Sequence, residues 1–386
     1  MVRAVILWLH KWLAIGSGIV VFILGITGCI YTFHDDLKLM CYPEKYFISG
    51  AGTSNTLPLS QLTEMATRSL TEGEQITRVD LYPARDRSWI FRAQSVNEEA
   101  FGHWNYFNYY KRVFINPYTG EVVAIENSKT EFFQVMLQLH MNLLLGKKYG
   151  HPVVAYSTLI FIIVMISGLV LWWPKKWRGK RLRRSFWPKW SVKWKRLNYD
   201  LHNIIGFYSF LLGIAIGVTG LFFSFPEFKS AVAARLNQLN AKTQPSTAVA
   251  QPAIPKPGAY PLDNALYYLL EENKGAGMMS IRFRNEDAPS FDVQVRLDEQ
   301  RTGKFNWYYF DRSSLQIDKI DSHRHQAAGD RLASLNYDIH TGNIGGWPTK
   351  VIAFIISLFC ASLPLTGYII WINKAKKHKK GQYDSN

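Results

Sequence analysis

One stretch of this 386-residue chain occurs twice. Leu9-His10 opens an apolar run that closes with Gly25-Ile26-Thr27-Gly28, and Leu201-His202 opens another that closes with Gly217-Val218-Thr219-Gly220. In both copies the histidine precedes the two glycines by 15 and 18 residues and the threonine by 17. Three coincidences at one spacing indicate a duplicated unit. At a helical rise of about 1.5 Å per residue, such a stretch covers roughly 27 Å, close to the ~30 Å hydrocarbon thickness of a bilayer. Each copy therefore predicts a membrane helix with a histidine near one face and a Thr-Gly pair near the other. A histidine inside a span is costly without a partner, which makes His10 and His202 functional candidates.

Apolar residues are concentrated in four runs, Val5–Phe33, Pro152–Trp173, Ile204–Phe225 and Trp347–Ile372. Each exceeds the ~20 residues that cross a bilayer as a helix. The first is too long for a signal-peptide core and no A-x-A site follows it, so it reads as a retained anchor. The expected organisation is helix 1 within 1–36, a first extracytoplasmic region over 37–131, and a face helix plus helix 2 over 132–174. A basic loop over 175–198 and helix 3 over 199–225 follow. A linker and second extracytoplasmic region over 226–338, helix 4 over 339–373 and a basic tail over 374–386 complete it. Within the two large regions the pattern is a short helix followed by strands. It runs Leu57–Leu70 then Ile76–Tyr82, Ser88–Ala93, Tyr109–Ile115 and Glu121–Ile125, and again Leu262–Glu272 then Met279–Phe283, Phe291–Leu297, Asn306–Phe310 and Gln316–Ile320. The fold class is thus an α-helical membrane protein of four spans from a tandem duplication, carrying two small α+β domains. The proline-rich stretch Asn240–Pro261 reads as an extended linker.

The formal charge of +16 would suit a nucleic-acid binder if it were spread over a surface. It is not. Eighteen of the 45 basic residues lie at Arg3 and Lys11, in Lys175–Arg196 and in Lys374–Lys380, with only Asp200 and Asp384 among them, and the remainder of the chain is neutral. Four spans put those segments on one side, the positive-inside pattern, with both termini in the cytoplasm. No nucleic-acid partner is expected. Cys29, Cys41 and Cys360 form no C-x-x-C and no C-x-x-C-H, which excludes a four-cysteine cluster and covalent haem attachment. No G-x-G-x-x-G or P-loop motif is present.

The repeat extends further. Ser167-Gly168 and Thr366-Gly367 are each followed by Trp four and Lys seven residues after the glycine, and a histidine, His140 or His340, stands 28 or 27 residues before it. Two spans per unit insert both copies in one orientation. Symmetry then sets His10 and His202 at one depth near the cytoplasm, and His140 and His340 at another near the outer face. Two readings are open: the histidines hydrogen-bond across helices while glycines allow close packing, or imidazole pairs hold the iron of two haems. Four histidines in register favour haem, with Gly16, Gly18, Gly206 and Gly213 making room for a flat macrocycle. Zinc or copper is disfavoured because no second ligand stands beside any of the four at helical spacing. His34 and His151 are alternative outer ligands or substrate contacts, whereas His103, His323 and His325 read as solvated. The aromatic clusters outside suggest a pocket for an amphipathic ligand, with Trp104, Tyr106, Trp307 and Tyr308 as candidates.

The chain resembles the PepSY-associated transmembrane family in Leu9-His10-Lys11-Trp12-Leu13, Ile26-Thr27-Gly28, Phe114 through Glu121, Leu139-His140, Gly168 through Pro174, Asp200-Leu201-His202-Asn203 and Ile339-His340-Thr341-Gly342. The resemblance implies four helices with two PepSY-like periplasmic domains. More narrowly, it implies similarity to inner-membrane ferric-siderophore reductases with two b-type haems held by His10, His202, His140 and His340. The second unit departs from the pattern at Asp311-Arg312-Ser313-Ser314-Leu315, where the Asn-Pro-Tyr-Thr-Gly turn of the first unit has no counterpart. The expected activity is electron transfer from a quinol or cytoplasmic reductase to a periplasmic ferric siderophore or other ferric chelate, releasing Fe(II). A haem-free regulator that binds a periplasmic protease or sensor is the alternative, and a transporter is weakened by the lack of an intramembrane acid.

Overall fold

The computed structural model describes residues 1–49, 55–174, 185–239, 261–283, 290–298, 303–311, 314 and 316–383. Most of the basic loop expected after helix 2, at 175–184, and the linker at 240–260 lie outside the described residues.

The apolar runs form helices. The chain begins with α1 (Val2–Thr32), α2 (His34–Cys41) and α3 (Leu59–Arg68), then strands β1 (Ile76–Leu81), β2 (Trp89–Val96), β3 (Phe107–Ile115) and β4 (Val122–Asn127). Next come α4 (Phe132–Asn142) and α5 (Lys147–Trp172). The second half repeats the order with α6 (Trp194–Ser224), α7 (Pro261–Glu272), strands β5 (Met278–Arg282), β6 (Ser290–Arg296), β7 (Phe305–Asp311) and β8 (Ile317–Asp321), then α8 (Asn336–Thr341) and α9 (Trp347–Tyr383). Four helices are long and apolar enough to cross a membrane: α1, α5, α6 and the Trp347–Lys376 part of α9. They close a ring in which α1 packs on α9 and α5, and α6 packs on α5 and α9. Small residues set the approach. A Cβ at Gly25 of α1 would lie 2.7 Å from the Ala361 methyl and 3.0 Å from the Ser357 carbonyl of α9.

The two α+β units do not stand apart as separate domains. Their strands make one eight-stranded antiparallel sheet in the order β4-β3-β2-β1-β5-β6-β7-β8, symmetric about the β1/β5 junction. Joining there pairs the inner edge of each half-sheet and removes two unpaired hydrogen-bonding rows. The junction is in register at Val79 with Ile281 and Asp80 with Ser280, and the Ser280 hydroxyl donates to the Asp80 carboxylate at 2.8 Å.

Strand alternation sorts the sheet's faces. Val79, Leu81, Phe91, Val113, Ile281, Val293 and Phe310 point one way and bury against Leu59 and Leu62 of α3 and Leu266 and Leu269 of α7, forming the main core. The polar residues between them face the ends of the membrane helices, where Tyr31 and His34 share a cavity with Arg78, Arg92 and Arg112.

Candidate functional site

Each half of the chain sends one histidine to each of two levels in the helix bundle. At one level His10 of α1 meets His202 of α6, ring centres 6.5 Å apart and planes at 83°. At the other His140 of α4 meets His340 of α8, 6.0 Å apart and at 68°. Neither pair is stacked. Two imidazoles that bind one metal from opposite sides through nitrogens at about 2 Å have ring centres roughly 6 Å apart, and both pairs lie at that separation.

All four rings are seated in the same way. His10 Nδ1 donates to the Ser167 hydroxyl at 2.9 Å, His202 to Thr366 at 2.8 Å, His140 to Thr27 at 3.0 Å and His340 to Thr219 at 3.0 Å. In each seat the hydroxyl proton is already committed to a carbonyl one turn back, for example Thr27 to Ile23 at 2.7 Å and Thr366 to Ser362 at 3.0 Å. The hydroxyl oxygen therefore accepts, and Nδ1 carries the proton. For His10 and His340 a backbone carbonyl, of Val164 or Ile216, also lies within reach of Nδ1. A carbonyl only accepts, so the tautomer is fixed twice over. Among the described residues no hydrogen bond engages Nε2 of any of the four. A neutral imidazole with Nδ1–H tied down and Nε2 open is the form that binds a metal, and the tie at Nδ1 orients it.

The residue after each seat is glycine. A Cβ added at Gly28, Gly168, Gly220 or Gly367 would lie 3.2–3.5 Å from Cε1 of the histidine seated there. The glycines at this spacing thus make room for an imidazole. Of the others expected to accommodate a macrocycle, Gly18 is covered by Tyr368 and Gly213 by Cys360, as helix contacts, while Gly16 faces open space and Gly206 meets only Leu363.

Local structure delivers His140 and His340. The Glu131 side chain caps α4 by accepting from the amides of Phe133 and Gln134. The helix then ends abruptly at Leu143 and Leu144, both with positive φ. The chain doubles back so tightly that a Cβ at Gly150 would sit 1.7 Å from the Asn142 carbonyl, which presses the His140 turn onto α5. His340 stands on the last turn of α8, which Gly342 stops in the left-handed conformation at φ 74°.

A mostly apolar cavity of about 550 Å³ opens at His140 and His340, walled by Gly28, Leu137, Phe161, Gly220 and Phe223 among others. Its size is that of a site for a bulky organic ligand. Among the described residues no cluster of three or more His, Cys, Asp or Glu is placed to hold a metal ion. Two imidazoles are too few for a bare transition metal, and a porphyrin supplies four further donors. Donor set, spacing and tautomer fit a bis-imidazole haem at both levels, and the cavity fits one at the His140 and His340 pair.

The remaining sequence-derived candidates are distributed unevenly. His34 is buried with both ring nitrogens occupied, Nδ1 on the Tyr31 carbonyl at 2.8 Å and Nε2 on Asp35 at 2.9 Å, and it stacks on Tyr31 at 3.8 Å. Both nitrogens are thus turned to oxygen atoms and away from the histidine pairs. His151 lines the cavity at His140 and His340. Tyr106 lines a second, polar cavity, whereas Tyr308 is only 7 % exposed in the sheet core. Trp307 lies on the opposite face of β7 beneath the Arg282 guanidinium, and Trp104 is exposed beside His103. His103 itself is buried, not solvated, bonding the Lys129 carbonyl through Nε2 at 2.7 Å. The role of Thr27, Ser167, Thr219 and Thr366 as histidine seats was missed. The signal was that four recurring histidines are matched by four Ser/Thr-Gly pairs.

A helical bundle of four spans, paired histidines at two levels and a symmetric sheet over one end define a polytopic membrane protein. Over residues 7–374 the sequence matches the PepSY-associated TM region, and the chain belongs to that family. No curated protein matches the chain.

Proposed function

We propose that this is a di-haem b reductase of the bacterial inner membrane, a ferric-chelate oxidoreductase in iron uptake. It arose by tandem duplication and passes electrons outward to reduce ferric iron in a siderophore or similar chelate. The observation that carries this reading is the fourfold seat: each histidine holds Nδ1–H on a Ser/Thr hydroxyl, lies against glycine and faces a histidine from the other half at the separation an axial ligand pair requires. Interhelical hydrogen bonding alone would explain Nδ1 but not why, among the described residues, Nε2 of all four is left without a hydrogen bond in rings that meet in pairs.

His10 with His202 and His140 with His340 would hold one b-type haem each. When bound, these supply one-electron carriers at two depths in a membrane that otherwise blocks charge. The chain's own residues fix ligand orientation through the Nδ1–H bonds. The apolar cavity walls exclude water, and the sheet stands over the outer pair. The basic segments put both termini in the cytoplasm, so the sheet is periplasmic and the His10/His202 level is the one nearer the electron donor, a quinol or a cytoplasmic reductase. Fe(II) binds hard oxygen chelators more weakly than Fe(III), so reduction releases it.

Purified protein is expected to be red, with a dithionite-reduced b-type α-band and two haems per chain. Colourless protein from haem-replete cells would reject this reading in favour of a haem-free regulator of a periplasmic protease or sensor.

A further inference from the structure

The face of the sheet turned toward the helices carries a feature that haem binding leaves unexplained. Cross-strand register aligns Arg112 of β3 with Arg92 of β2, Arg92 with Arg78 of β1, and Arg78 with Arg282 of β5, so four arginines stand side by side across four adjacent strands. Like charges directly opposite one another destabilise a sheet. Such a row survives where a function offsets its cost. At the outer end of the row, Asp292 of β6 stands opposite Arg282. The Asp80 carboxylate is shared between Arg78 at 2.7 Å and Arg92 at 3.4 Å, and Glu126 takes Arg112 at 3.2 Å.

A polar cavity of about 630 Å³ lies between this face and the ends of α1 and α4. Five arginines, at positions 78, 87, 92, 112 and 296, and two lysines line it against three aspartates. Arg87 forms no ion pair among the described residues. It lies over the rings of Tyr82 at 4.3 Å and Phe47 at 5.2 Å, and its Nε is a buried donor with no partner, as is Nε of Arg92. Buried guanidinium donors without acceptors are expensive unless a ligand completes them. Tyr31, Leu137 and Arg296 line both this cavity and the one at His140 and His340, so the two adjoin.

We infer that the arginine-lined cavity is the substrate site and that it takes a net-anionic, carboxylate-rich ferric chelate in preference to a neutral or cationic hydroxamate complex. The inference rests on the reductase reading and names its substrate class. Planar guanidinium forks match carboxylates two bonds at a time. The three arginines of the row that line the cavity, Arg112, Arg92 and Arg78, stand on adjacent strands at about 4.8 Å spacing and span roughly 10 Å, the scale of a small chelate with several carboxylates. The same donors would also suit the phosphate of an anionic lipid headgroup.

The test is binding of redox-inert gallium(III) citrate to the full-length, haem-loaded protein in neutral detergent, followed by tryptophan fluorescence. We expect saturable binding that weakens with added salt. Affinity should fall roughly tenfold in Arg87→Gln and in Arg296→Gln, the loss of one charge-assisted contact, and stay unchanged in the distant surface variant Lys274→Gln. A cationic gallium trihydroxamate should bind far more weakly. Equal affinity of wild type and both arginine variants, equal binding of the trihydroxamate, or complete displacement by phosphatidylglycerol in nanodiscs would each overturn the assignment. Because gallium is not reduced, failure here leaves the haem spectrum intact, whereas a colourless protein that still binds gallium citrate would sink the reductase reading and spare the anion site.

Discussion

The Thr27 hydroxyl is a small group with two obligations, donating to the Ile23 carbonyl and accepting from His140 Nδ1. Valine is nearly isosteric and does neither. In Thr27→Val the helix keeps its shape, but the imidazole loses the partner that sets its tautomer and orientation. Loss of such a supporting partner typically costs 10–100-fold in metal affinity. The outer haem of Thr27→Val should therefore be lost roughly tenfold faster than the inner one in competition with apomyoglobin, and equal loss rates for the two would contradict the role given to the seat. Asp80 makes a different residue-scale prediction. Burial would raise its carboxyl, but the guanidiniums of Arg78 and Arg92 and the Ser280 hydroxyl outweigh it and hold the group at about 2. A depressed carboxyl contributes stability above its unfolded value of 3.8, and that contribution disappears as pH falls toward about 2. It is worth on the order of 2 kcal/mol at neutral pH. The melting temperature of wild type should thus drop between pH 5 and pH 2.5 more steeply than that of Asp80→Asn, which begins lower and changes less, and parallel curves would refute the assignment.

At the scale of elements, local periodicity was a good guide and long-range pairing was invisible. The strand from Ile76 was legible within one residue because alternation acts over a few positions. The two levels of histidines were likewise legible, His10 and His202 from helical rise and His140 and His340 from the repeat. That β1 and β5 join was not legible: Asp80 and Ser280 are 200 residues apart, and nothing in either strand's own pattern says which edge it meets. The seats escaped for a related reason. Thr27-Gly28 was read with His10 on its own helix, whereas it serves His140, 113 residues away. The shared sheet implies that neither half-sheet is an independent domain. Residues 37–131 alone would expose the β1 edge and half of the apolar layer that α7 helps to cover. We expect that fragment, kept reduced because of Cys41, to self-associate in light scattering, and a stable monomer with cooperative unfolding would show that the halves fold separately.

At the scale of the whole molecule, the two levels matter because α1 alone separates His10 from the Thr27 seat by roughly 26 Å of helix. One carrier cannot serve both faces of such a span, and two in series shorten each transfer. The order of the levels then yields a directional prediction. With a low-potential donor enclosed in proteoliposomes whose cytoplasmic face is inward, His202→Ala should lose the inner haem and nearly all transfer to an external ferric chelate, yet retain an outer haem that externally added dithionite reduces. His340→Ala should do the converse: its inner haem is still reduced from the enclosed side, and the electron stops there. Both rings sit against glycine within the bundle, so alanine leaves space without adding bulk, and the surviving haem reports that each variant has folded. Unimpaired transfer in His202→Ala would mean that electrons reach the outer pair without the inner one, and the arrangement of two histidine levels would then need another explanation.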